Sequence, residues 1–168
     1  GRLVNGEVMV AGVGNLFLTD DGFGPEVARR LLGRELPDGV KVVDYGIRGM
    51  HLAYDLIEGY DALVIIDTAR RGGTPGDVLL IEVGPDDLGS GEFDAHGMEP
   101  TAVLASLGSL GGQLPPTYVV GCEPDDLSEG IGLSSAVAGA VEPAVDLVID
   151  LLKRDLTTSA AQQKENAP

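Results

Sequence analysis

The sequence predicts an α/β sandwich, a largely parallel and twisted sheet with helices on both faces. Short apolar runs of strand type alternate along the chain with segments whose apolar residues recur at helical spacing. One run, Ala62-Leu63-Val64-Ile65-Ile66, is continuous and rich in branched residues, as expected of a central strand buried on both faces. Glycine supplies 25 of the 168 residues without a collagen-like period, which suits a fold with many tight turns. A chain of this length buries about two-thirds of its unfolded surface, enough for one domain. We expect that domain over residues 1–156 and a disordered polar tail, TTSAAQQKENAP, over 157–168.

Taken in order, EVMVAG (7–12) reads as the first strand. PEVARRLLGREL (25–36) follows as a helix, with Val27, Leu31 and Leu32 as candidate core positions. Pro25 suits a helix start, where its missing N–H costs little. KVVDYG (41–46) is a second strand, and HLAYDLIEGY (51–60) a short helix packing through Leu52, Leu56 and Ile57. DALVIIDTA (61–69) is the buried strand, and DVLLIEV (77–83) another. Residues 84–97 read as a long loop, 100–107 as a helix and TYVVGC (117–122) as a strand. A final helix is expected over 136–154, with Pro143 marking a kink or a boundary.

Charge and cysteine content exclude several classes. Acidic residues outnumber basic ones 27 to 11, a formal net charge of −16, so no broad basic surface for nucleic acid or anionic membrane can be assembled. The single cysteine, Cys122, excludes an internal disulfide framework and a cysteine-based zinc site within one chain. No segment resembles a signal peptide and no apolar run reaches membrane-spanning length, so a cytoplasmic location without membrane insertion is expected.

In a sheet of this kind, ligands collect beyond the carboxyl ends of the strands. Three chemically capable groups fall there: Asp20 and Asp21 after the first strand, Asp67 at the end of the third, and His96 in the loop before a later helix. Asp67 directly follows Leu63-Val64-Ile65-Ile66, where a charge needs an exit or a partner. The turn Gly12-Val13-Gly14-Asn15 invites comparison with a dinucleotide fingerprint, but Phe17 stands where the third glycine belongs. Two carboxylates would also oppose a pyrophosphate at the helix start. Asp44, a candidate ribose-binding acid, comes later than the usual about 20 residues. Two carboxylates and an imidazole form instead a mixed oxygen and nitrogen set that suits nickel, zinc or a similar divalent ion, or an acid/base site. The bland alternative makes Asp20 or Asp21 a turn or N-cap acid and His96 an ordinary loop residue.

At these residues the chain resembles a known family. Gly12-Val13-Gly14-Asn15-Leu16-Phe17-Leu18-Thr19-Asp20-Asp21-Gly22-Phe23-Gly24 is similar to the N-terminal signature of the hydrogenase maturation proteases, endopeptidases that process the nickel-iron hydrogenase large subunit. Asp44-Tyr45-Gly46-Ile47-Arg48-Gly49, Ile65-Ile66-Asp67, Asp94-Ala95-His96-Gly97, Gly121-Cys122-Glu123-Pro124 and Gly132-Leu133-Ser134 continue the resemblance, which runs from about residue 7 to 153. It implies a three-layer α/β sandwich around a five-stranded sheet, with 77–83 as the antiparallel member. It also implies that Asp21, Asp67 and His96 are the metal-binding and catalytic set, with Asp20 an adjacent acid for hydrogen bonding, turn formation or proton transfer.

The implied activity removes a C-terminal peptide from the nickel-loaded precursor of the large subunit. Nickel would be recognised in that precursor and no organic cofactor is expected. Water activation by metal or by a carboxylate stays open. A noncatalytic scaffold that recognises the same precursor is the alternative, and a relative of peptidyl-tRNA hydrolase is a further one. Arg48, Arg70 and Arg71 are candidates for steering an acidic or carboxylate-bearing substrate segment, or else for solvated surface positions; His51 is expected in a structural or exposed position, with a place on the rim of the site as the alternative. Gly12, Gly14 and Gly46 are expected to serve tight turns, and Asn15 a turn or substrate contact. Cys122 is expected to pack rather than react.

Overall fold

The computed structural model describes residues 6–47, 49–83 and 115–157. They form one five-stranded sheet of β1 (Val8–Val13), β2 (Val40–Gly46), β3 (Ala62–Thr68), β4 (Val78–Val83) and β5 (Thr117–Cys122), in the order β2-β1-β3-β5-β4. Every neighbouring pair is parallel except β4 with β5, which is antiparallel, as expected for 77–83. The helices are α1 (Phe23–Leu32), α2 (Gly49–Ile57), α3 (Ser135–Ala138) and α4 (Val141–Leu151), with a short 3-10 turn at Thr19–Gly22 and a π-helical turn at Leu152–Thr157.

Both faces of the central strands are buried, and alternate residues divide between two cores. Val8 and Val10 of β1 and Val64 and Ile66 of β3 pack with α1 and α4; Met9, Ala11, Leu63 and Ile65 pack on the opposite face with Leu52 and Leu56 of α2. The result is the three-layer sandwich. On α1 the stripe Phe23, Val27 and Leu31 is fully buried, and complete burial of a side chain such as Phe23 stabilises by about 1.5–3 kcal/mol. Glu26 in the first turn and Arg29 and Arg30 in the last complement the helix dipole.

Besides the end of α1 at Leu32 rather than at residue 36, three helix expectations need correction. Leu32 and Ile57 are candidate core residues by sequence, yet both are exposed. Each follows a buried leucine by one position, and one step around a helix is about 100°, so only one of the pair can face the sheet. The final helix is not continuous over 136–154. It is broken at Gly139-Ala140, and Pro143 falls in the first turn of α4, where it marks a boundary. The loop at 84–97, the helix at 100–107, Arg48, His96 and the tail from 158 onward lie outside the described residues. Among the described residues no helix is long and apolar enough to cross a membrane.

Candidate active site

The strand order places a topological switch point between β1 and β3, because the chain leaves β1 toward β2 on one side and returns to β3 on the other. In sheets of this kind such a point, beyond the carboxyl ends of the strands, is where ligands bind. Asp21 lies there in the turn after β1, and Asp67 at the end of β3.

The turn after β1 is shaped by Gly14. Its φ is +148°, and a Cβ there would stand 1.9 Å from the carbonyl oxygen of Asp21, so a side chain is excluded twice over. Asn15 serves this turn: its N–H donates to Asp21 Oδ2 at 2.8 Å, and its Oδ1 accepts from the Phe17 N–H at 2.9 Å. Gly12 has another role from the one expected. A Cβ at that position would meet Gly24 O at 2.5 Å and Ala28 Cβ at 2.7 Å, so its absence lets α1 lie close against β1.

The adjacent acids have sharply different surroundings. Asp20 is fully buried and accepts four hydrogen bonds: Oδ2 from the N–H groups of Asp125 and Asp126 and the hydroxyl of Ser134, and Oδ1 from the Ser134 N–H, all at 2.7–2.9 Å. Burial alone would raise its pKa, but the Ser134, Asp126 and Asp125 donors together outweigh that and hold it below the ordinary carboxylate value. Of the three roles open to Asp20, hydrogen bonding is the one this geometry displays. It clamps the segment after β5 onto the turn after β1. Thr19, at φ +52°, completes the clamp through its N–H to Gly130 O and its hydroxyl to Ser128 O.

Asp21 is half-buried, and each of its oxygens accepts one hydrogen bond, Oδ2 from Asn15 and Oδ1 from the Thr68 hydroxyl at 3.0 Å. A carboxylate offers about four lone-pair directions, so acceptor capacity remains on both oxygens. Asp67 is buried, 1 % exposed, and its Oδ1 accepts from the Thr68 N–H at 2.7 Å. Thr68 thereby touches both carboxylates. Two expected members of the site, Asp21 and Asp67, are brought together; the third, His96, lies outside the described residues. Among the described residues no cluster of three His, Cys, Asp or Glu side chains is placed to hold a metal ion. A pair of oxygen donors fits a divalent cation whose remaining ligands come from elsewhere.

Glu123 supports the β3 end. It is buried and accepts from the N–H groups of Arg71 at 2.7 Å and Gly72 at 3.0 Å, which fixes the bend that follows Asp67. Arg70 and Arg71 are exposed beside it, and His51 is exposed on α2. Cys122 is buried and free, and desolvation first, then the nearby charges of Asp20, Glu123 and Asp77, pushes its thiol up to about 12, so it packs and is not a nucleophile at neutral pH. Thr68, Glu123 and Ser134 have no role assigned from sequence. Ser134 alone carries a local signal, as a serine preceding a helix, and it does cap α3 by accepting from the Val137 N–H.

Asp44, the candidate ribose acid of the dinucleotide reading, accepts from the Gly46 N–H at 2.9 Å. That is a turn contact at the end of β2.

Comparison with known proteins agrees with this architecture. The family model described as hydrogenase maturation protease, HycI, matches residues 25–151. The chain belongs to the hydrogenase maturation protease family. It is 31% identical over 149 residues to the hydrogenase 2 maturation protease of Escherichia coli K12, covering 87% of this chain and 90% of that one. Among solved structures it resembles the hydrogenase maturating endopeptidase HybD from E. coli, with 30% identity, a TM-score of 0.73 and coverage of 88% and 92%. It also resembles a hydrogenase 2 maturation peptidase from a Thaumarchaeota archaeon, with 34% identity, a TM-score of 0.68 and coverage of 87% and 97%. The relatives named as endopeptidases support protease activity for the family member described here.

Proposed function

We propose that this chain is an endopeptidase that removes a C-terminal peptide from the nickel-loaded precursor of a nickel-iron hydrogenase large subunit. The observation that carries the reading is the convergence of Asp21 and Asp67 at the β1/β3 switch point, joined through Thr68. Nickel belongs to the substrate: it arrives in the precursor and meets Asp21, Asp67 and His96, so that a loaded precursor docks with one peptide bond held against the carboxylates. Binding energy from the metal then orients the scissile bond, which is where positioning lowers a barrier most. Either the metal or a carboxylate activates the attacking water.

The protonation state of Asp20 narrows the acid/base assignments. A carboxylate held below its ordinary range by N–H and hydroxyl donors is ionised at neutral pH and is not the acid that protonates the leaving amine. In a carboxylate route the proton donor is then a group other than Asp20.

Intact-mass measurement of the immature large subunit, with and without nickel, tests the proposal. One discrete C-terminal truncation is expected only with nickel, and it should fall by about 100-fold or more in Asp21→Ala, Asp67→Ala and His96→Ala. Equal cutting of nickel-free precursor would keep the protease and remove the nickel requirement. Binding of loaded precursor without truncation would leave a maturation scaffold in place of an enzyme.

A further inference from the structure

Resting on the reading of Asp21 and Asp67 as the working carboxylates, we propose that Thr68 is the positioning residue that sets one acid against the other. It is 4 % exposed and ends β3, whose pairing on one side to β1 and on the other to β5 makes it a rigid base. Its N–H holds Asp67 Oδ1 at 2.7 Å and its hydroxyl holds Asp21 Oδ1 at 3.0 Å. Asp67 belongs to that same strand and is placed by it. Asp21 is not: it comes from a 3-10 turn, 47 residues away in sequence, and its other side-chain bond is to the Asn15 N–H, in the loop between β1 and that turn.

A bland account would make Thr68 a strand-end threonine that merely satisfies its own buried hydroxyl. Threonine hydroxyls usually do so locally, on nearby backbone groups. Here the hydroxyl is spent on a side chain from another element, and the β-branched Cβ restricts χ1, so its direction follows from the strand. The bond links the turn-borne Asp21 to the sheet that carries its partner. A cation or a scissile peptide then meets two carboxylates whose separation is already set, and less ordering has to accompany binding. In this role Thr68 acts through Asp21 and Asp67, the two carboxylates it holds.

The test compares Thr68→Val, which keeps the shape and removes the hydroxyl, with Thr68→Ser, which keeps the hydroxyl and removes the methyl group. Each full-length variant is titrated calorimetrically with zinc and with nickel ions, and each is assayed for kcat and KM on nickel-loaded precursor. Thr68→Val should bind the ions about tenfold or more weakly, the range seen when hydrogen-bond partners of metal-binding side chains are removed. Its KM for nickel-loaded precursor should rise by a similar factor, because the precursor docks through that metal, so kcat/KM falls at least about tenfold, and Thr68→Ser should stay within about threefold of wild type in metal affinity and kcat/KM. Melting temperatures of the three proteins separate this from general destabilisation, and Thr68→Ala replaces the valine variant if that fails to fold.

Wild-type affinity and kcat/KM in Thr68→Val overturn the inference alone. So does an equal loss in valine and serine variants, because the methyl group would then carry the effect. A wild-type protein that neither binds the ions nor cuts, or an Asp21→Asn variant as active as wild type, overturns the reading of the carboxylates and this inference with it.

Discussion

Asp20 and Asp21 are neighbours of the same type, and their surroundings separate them completely. Four donors converge on Asp20, three of them backbone N–H groups from Asp125, Asp126 and Ser134. Replacing it by alanine leaves those donors without their acceptor and unclips the segment after β5 from the turn after β1. Asp20→Ala should therefore cost about 2–3 kcal/mol, a typical penalty for stranding partly buried donors to a charged acceptor. Urea unfolding measures it directly, and a change below about 0.5 kcal/mol, the level of an ordinary surface substitution, would mean the clamp is not structural. Asp21→Ala removes two single hydrogen bonds at a half-buried position and should cost about 1 kcal/mol while losing the proposed activity. A large stability loss for Asp20 and a large activity loss for Asp21 is the pattern expected. No property of the Asp-Asp pair in the sequence distinguishes them, because the distinction comes from residues more than a hundred positions away. Resemblance to a family selects Asp21; the geometry shows only that Asp20 is saturated with donors where Asp21 is not.

At the scale of elements, strands are the most legible feature. The continuous apolar run places β3 at Ala62–Thr68, and the expectation of a strand over 117–122 matches β5 residue for residue. Helix faces are less legible where two apolar residues adjoin, since Leu31-Leu32 and Leu56-Ile57 each present one side chain to the core and one to water. Helix ends are less legible again: the helix from Phe23 stops at Leu32, four residues before the expected end. The packing of α1 on the sheet depends on Gly24, which lies between the ends of both strands that carry the site. A Cβ there would meet Ile66 O at 2.2 Å, Val13 O at 2.3 Å and Val13 N at 2.8 Å, all backbone atoms that cannot turn aside. Gly24→Ala should therefore push α1 away from β1 and β3 and cost about 3 kcal/mol or more, with loss of precursor cleavage. Gly33→Ala is the control. Its nearest neighbour would be Arg30 O at 3.6 Å, an ordinary contact, and its backbone φ is −90°, so unfolding and cleavage should match wild type. Equal stability of the two alanine variants would show that the helix tolerates a wider separation than this packing implies.

The whole molecule carries a formal charge of −16, and the sign of its salt dependence follows from weighing that field against local ion pairs. Ion pairs join Glu26 with Arg29 and Arg30 along α1, Arg30 with Glu142 between α1 and α4, and Arg34, just past the end of α1, with Glu142 and Asp146 of α4. Most of these side chains are about half exposed, and exposed pairs contribute only about 0–1 kcal/mol each, less in salt. Repulsion among the excess carboxylates is long-ranged at low ionic strength, when the Debye length is about 30 Å, and is cut back when it shortens to about 8 Å at 0.15 M. Repulsion should win. Raising sodium chloride from about 0.01 M to about 0.15 M should therefore stabilise the fold by about 1–2 kcal/mol and raise the melting temperature by about 3–6 °C. A falling melting temperature would instead mean that the α1–α4 pairs outweigh the repulsion. The same screening separates two kinds of metal binding. A field this acidic attracts divalent cations diffusely, and that attraction fades over the same salt range. Coordination by Asp21 and Asp67 at the switch point is short-ranged and should persist at about 0.15 M. Nickel binding that survives this salt concentration and disappears in Asp67→Asn belongs to the switch point between β1 and β3, whereas binding that vanishes with salt in wild type and variant alike belongs to the net charge and says nothing of the site.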